Sequence, residues 1–115
     1  MKKIYHLSSC DTCKRILKEL APDTSFELQD IKSDAITPEQ LEEMKTLAGN
    51  YESLFSKRAR LYKERDLKNQ HLTEGDFKAL LLEHYTFLKR PVIINGTSIF
   101  IGNSKKTIEA AKASI

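Results

Sequence analysis

The chain has 115 residues, 40% of them hydrophobic and 30% charged, with a formal net charge of +3. That is the size of one domain able to bury a core without disulfide staples or a structural metal, and the interspersed charges give no argument for direct nucleic-acid binding or a membrane surface. No apolar run approaches the ~20 residues that cross a bilayer, and the start Met1-Lys2-Lys3 lacks the apolar stretch of a signal peptide, so a cytoplasmic location is expected.

Residues 2–7 read as a short buried strand, after which Asp11 or Thr12 can open a helix with Ile16, Leu17 and Leu20 on its apolar face. Pro22 ends that helix. Phe26-Glu27-Leu28-Gln29-Asp30-Ile31 alternates apolar and polar residues and predicts a second strand, by default parallel to the first through a right-handed crossover. Thr37-Pro38-Glu39-Gln40 combines a capping threonine, a proline at the first helical position and a glutamine three residues on, which starts a helix running to about Ala48 before Gly49-Asn50.

Residues 51–68 are less periodic, with Leu54, Phe55, Leu61, Tyr62 and Leu67 suited to short helices beside a basic run of Lys57, Arg58, Arg60, Lys63 and Arg65. Thr73 opens a further helix with Phe77, Leu80, Leu81 and His84 on its apolar side. The segment Pro91 to Ile101 is a hairpin signal, two β-rich runs joined by Asn95-Gly96, whose residues tolerate positive backbone angles. Ser104 then caps a final helix through Ala113, its apolar face drawn from Ile108, Ala111 and Ile115. The order βαβ, helices, ββα predicts an α/β, thioredoxin-like (glutaredoxin-like) domain over residues 1–115, with a mixed four-stranded sheet and a helical insertion at about 37–88 that can form a lid or side subdomain.

Both cysteines, Cys10 and Cys13, lie where the first strand gives way to the first helix. Helix-end amides favour an anionic sulfur, so a thiol that ordinarily titrates near ~8.5 ionises more readily there. Cys10 is therefore the candidate attacking thiolate and Cys13, one turn inside the helix, the candidate resolving thiol. The bland alternative is two small buried residues three positions apart, and the strand-to-helix setting argues against it. Two thiolates alone do not complete a tetrahedral zinc site, so no metal is expected. His6, four residues before Cys10, can steady a thiolate by its charge or an N–H donor, although a lone histidine is more often structural. His71 and His84 read as surface or packing residues. The basic run around Arg58 reads first as a solvated face, and alternatively as the source of an arginine, Arg58 or Arg60, that binds an oxyanion beside the cysteine loop.

Together His6-x3-Cys10-x2-Cys13, Ser56-Lys57-Arg58, Leu88-Lys89-Arg90-Pro91-Val92-Ile93-Ile94 and Gly102-Asn103 resemble the arsenate reductase (ArsC)/Spx family over nearly the whole chain. The resemblance implies a thiol-dependent oxidoreductase of the arsenate reductase type. Cys10 would attack a small oxyanion or a glutathione mixed disulfide, helped by His6, Arg58 or Arg60, and Arg90, with Pro91 in the cis form. No bound cofactor is implied; glutathione or glutaredoxin would be the electron donor and partner. The chain departs from those reductases at the end of the hairpin, where a third arginine is replaced by Phe100-Ile101-Gly102. Its second cysteine resembles the Spx branch instead, whose members use C-x-x-C as a redox switch and bind the RNA polymerase α subunit.

Overall fold

The computed structural model describes residues 1–115. Its regular elements are β1 (Lys2–His6), α1 (Asp11–Leu20), β2 (Glu27–Asp30), α2 (Pro38–Ala48), α3 (Arg60–Glu64), α4 (Glu74–Glu83), β3 (Val92–Asn95), β4 (Ser98–Ile101) and α5 (Lys105–Ser114), with short 3-10 turns at Glu52–Leu54, Leu67–Asn69 and Tyr85–Phe87. The chain divides into two compact units, one of Met1–Asp34 with Arg90–Ile115 and the other of Ala35–Lys89. No helix is long and apolar enough to cross a membrane.

The first unit is built on a four-stranded sheet in the order β2-β1-β3-β4. β1 runs parallel to β2, with His6 opposite Asp30, and antiparallel to β3, with Ile4 opposite Ile93. β3 and β4 form an antiparallel hairpin. Ile4 and Ile93 from the central strands meet Ile16 and Leu20 of α1, Phe26, and Ile108 and Ala111 of α5 in one buried cluster, edged by Leu17 and Phe100. Each large aliphatic side chain withdrawn from water there contributes roughly 1.5–3 kcal/mol before the cost of ordering it. Lys3 is buried too, with its ammonium 3.4 Å from Glu27 and 5.2 Å from the Tyr5 ring centre, so its charge is matched as it is desolvated.

Three sequence expectations change at the margins of this unit. Leu28 is 49% exposed while Gln29 is buried, because β2 is an edge strand and Gln29 gives its side-chain amide to the Asp34 carbonyl at 2.9 Å. In the hairpin Asn95 pairs with Ser98, so the turn consists of Gly96 and Thr97, and Gly96, at φ +64°, takes the left-handed backbone. Ile115 lies beyond the end of α5 and is 42% exposed rather than part of its apolar face.

The second unit is held by aromatic packing around Phe55, whose ring stacks on Phe87 at 5.2 Å and meets Phe77 at 4.9 Å and Tyr62 at 5.8 Å. Local sequence signals set its helices. Thr37 with Gln40 and Thr73 with Asp76 form capping boxes, and Gly49 at φ +99° closes α2. Glu74, in the first turn of α4, accepts the amides of Tyr51 and Glu52 at 2.8 and 3.0 Å and so anchors the 3-10 turn before Phe55. His84 follows α4 instead of extending its apolar side; its Nδ1 accepts from the Thr86 amide at 3.0 Å.

Removing packing at the sheet centre and at its edge should have unequal effects. In urea titrations followed by circular dichroism, Ile93→Ala should lower the free energy of unfolding by roughly 2–5 kcal/mol and Leu28→Ala by less than about 1 kcal/mol.

Candidate active site

The cysteine loop grows out of the end of β1. Leu7 to Cys10 form a tight turn closed by the Cys10 N–H donating to the Leu7 carbonyl at 3.0 Å. Cys10 is itself the N-cap of α1, in extended conformation at φ −95° and ψ 115°, so the helix begins at Asp11 and the sulfur lies at its very start. The nearby amides do not make a close side-chain cap with that sulfur, but they face it.

Burial alone would push the Cys10 thiol up. Against it act the amide and thiol of Cys13, the amide of Thr12 and the charge of Arg90, and the balance lies below the ordinary thiol value. Cys13 has the opposite fate. It is buried in the α1 face, and desolvation together with the neighbouring Cys10 charge and the hydrogen bond it donates there pushes it up to about 11, although the Leu7 amide and Arg90 pull the other way. One thiol is thus prepared to ionise and the other to remain protonated as its hydrogen-bond donor. Arg90 acts on both sulfurs and joins Pro91 through a cis peptide bond. Pro91 is buried, and its carbonyl accepts the Gly102 N–H at 2.9 Å, which ties the end of the hairpin to the start of β3.

His6 ends β1 opposite Asp30, with its Nδ1 buried and without a hydrogen-bond partner. Its charge relation is with that carboxylate, and the groups that govern Cys10 ionisation are Cys13, Thr12 and Arg90. Asp30 is held below the usual carboxylate range, first by the Ser8 hydroxyl and then by the Lys32 and Ser8 amides and by His6. Nothing local in the sequence marks Asp30 or Ser8 as part of the site. The signal that could have found them is the register that sets Asp30 opposite His6, and it exists only once β1 and β2 are paired.

Arg58 belongs to the Ala35–Lys89 unit, where it is exposed and makes no ion pair. Its basic neighbours differ: Arg60 meets Glu64 at 3.3 Å, Lys57 meets Glu52 at 2.9 Å and Arg65 meets Glu83 at 2.5 Å. Such exposed pairs contribute little to stability, yet they leave Arg58 as the arginine of that run without a carboxylate to hold it.

A mixed four-stranded sheet, a C-x-x-C pair at the start of the first helix and a cis proline before β3 define a thioredoxin-like protein with the fold of thiol-dependent reductases. The ArsC family model matches residues 5–111, and the chain belongs to that family. An uncharacterized protein of Haemophilus influenzae is 31% identical over 116 residues, an alignment that covers 98% of this chain and 100% of the other. Among solved structures, an ArsC family related protein from Bacteroides fragilis has a TM-score of 0.79 at 24% identity, covering 95% of each chain. An arsenate reductase from Vibrio cholerae has a TM-score of 0.74 at 20% identity, covering 99% of this chain and 97% of that one. At those identities the two structures speak for the fold.

The two thiols should separate on titration. Peptide-resolved mass spectrometry of iodoacetamide labelling should place the first adduct on Cys10 at a pH below the ordinary thiol range, with none on Cys13. Stability carries the complementary sign. The folded-state value of Cys13 is raised, so its contribution is complete below the unfolded thiol value and is lost as pH rises towards about 11. The difference in unfolding free energy between the wild type and Cys13→Ala should therefore shift against the wild type across that alkaline window.

Proposed function

We propose that the protein is a thiol-dependent reductase of the arsenate reductase type, with Cys10 as nucleophile. What supports this is the placement of Cys10 at the N-cap of α1, against the Cys13 thiol and near the Arg90 charge, a setting that lowers Cys10 while burial pushes Cys13 up to about 11. With arsenate, the Cys10 thiolate forms a sulfur–arsenic bond while an arsenic–oxygen bond breaks, and the departing oxygen takes up protons and leaves as water. A second thiol then attacks the Cys10 sulfur. The disulfide forms, the electron pair of the sulfur–arsenic bond passes to arsenic, and arsenite leaves with arsenic two electrons more reduced. Glutathione or glutaredoxin returns the disulfide to thiols. A glutathione mixed disulfide would instead be opened by thiol–disulfide exchange at the same sulfur.

Cys13 suits the resolving role for an electrostatic reason. Two of the influences that keep it protonated, the Cys10 charge and the hydrogen bond to Cys10, vanish once Cys10 carries an adduct, and burial alone remains. The first step thereby eases ionisation of the thiol required for the second. Arg90 supplies a planar fork of donors for the oxyanion beside the nucleophile. His6 would assist from the end of β1. The sulfur–sulfur contact also fits a second reading, an Spx-like switch in which Cys10 and Cys13 oxidise to a disulfide and regulate binding to the RNA polymerase α subunit.

The assay is arsenate reduction by the purified chain with glutathione and glutaredoxin. Activity should be abolished in Cys10→Ser. In Arg90→Ala, arsenate binding should weaken while the labelling midpoint of Cys10 rises, and a change in only one of these would contradict a shared site. Absence of turnover together with oxidation-dependent capture of the polymerase α subunit would replace the reductase reading with the Spx-like one.

A further inference from the structure

The hydrogen bonds at the end of β2 converge on the turn that carries Cys10. The two central residues of that turn, Ser8 and Ser9, are exposed. Asp30 grips the first of them twice: Oδ2 accepts the Ser8 hydroxyl and Oδ1 accepts the Ser8 N–H at 3.4 Å. Asp30 is in turn fixed from several sides. Its Oδ1 takes the Lys32 N–H at 3.2 Å, its carbonyl takes the Asp34 N–H at 2.9 Å, and the Ile31 N–H donates to the His6 carbonyl at 2.9 Å. The sheet thus holds the carboxylate, the carboxylate holds Ser8, and Ser8 lies two residues from the nucleophilic sulfur.

We propose that Asp30 is a positioning residue for Cys10, which by gripping Ser8 fixes the turn that delivers the sulfur to the amides of Thr12 and Cys13. The role rests on the reading of Cys10 as the attacking thiolate. A free turn would sample other conformations, and in those the thiolate loses donors it needs. Two ways for Asp30 to act have opposite signs. A carboxylate acting through its charge disfavours a nearby thiolate, so that deleting it would make Cys10 ionise more readily. A carboxylate acting through the turn favours the thiolate, and deleting it makes ionisation harder.

The test is the pH dependence of Cys10 alkylation by iodoacetamide in the full chain, read peptide by peptide. Asp30→Ala and Ser8→Ala should each raise the Cys10 midpoint and slow alkylation at pH 7 several-fold. Asp30→Asn keeps an oxygen acceptor for Ser8 and should stay close to the wild type. The double variant should go little further than either alone, because both substitutions cut one link. A wild-type midpoint below the ordinary thiol value that stays put or falls in Asp30→Ala and Ser8→Ala overturns the positioning role and leaves the reductase reading standing. An ordinary wild-type midpoint overturns the thiolate reading, and this role with it. Should Asp30→Ala fail to fold, Ser8→Ala decides alone, since it alters an exposed side chain that belongs to no core.

Discussion

A sulfur atom that burial would keep neutral lies against the amides that open a helix, and the chemistry available to this protein depends on that juxtaposition. Amides at the start of a helix have no partners within it, so they are free to favour an anion. Here Cys10 is the capping residue, and its thiol is held below the ordinary value. Much of the Met1–Asp34 and Arg90–Ile115 unit keeps the two together. β1 is paired on both sides, α1 is locked to the sheet through Ile16 and Leu20, and the turn between them is closed by a backbone hydrogen bond.

The two cysteines differ in how readily they ionise because their surroundings differ, although only three positions separate them. Cys13 faces the core with Ile16 and Leu20, and desolvation keeps it a thiol. Cys10 is only partly buried at the helix start, where amide donors and the Arg90 charge outweigh the penalty. Each makes the other's condition stronger, since a protonated Cys13 donates to the Cys10 thiolate and that thiolate opposes ionisation of Cys13.

The Ala35–Lys89 unit has a different physical basis. It is held by rings gathered on Phe55 and by short helices whose ends are capped within their own sequence, with Glu74 serving both α4 and the turn at Tyr51. Its basic run is largely neutralised by neighbouring carboxylates, which is the ordinary condition of a solvated charged face. Arg58 is exposed and has no carboxylate partner among these pairs.

What the sequence determined by itself is local. The strand-to-helix position of Cys10 and Cys13, the capping boxes at Thr37 and Thr73, the cap at Ser104 and the hairpin from Val92 to Ile101 all rest on residues within a turn or two of each other. The resemblance carried by these motifs and by Arg90-Pro91 extended that reading to the family. Tertiary structure decided the rest. Leu28, an apolar position of the alternating pattern, is exposed because its strand lies at the sheet edge. Asp30 looked like one more polar strand residue, yet parallel pairing sets it opposite His6 and within reach of Ser8. Arg90, distant along the chain, acts on Cys10 only because β3 pairs with β1. Caps and turns are settled by neighbours in sequence, whereas the face a strand presents and the charges that gather around a thiol are settled by which strands pair.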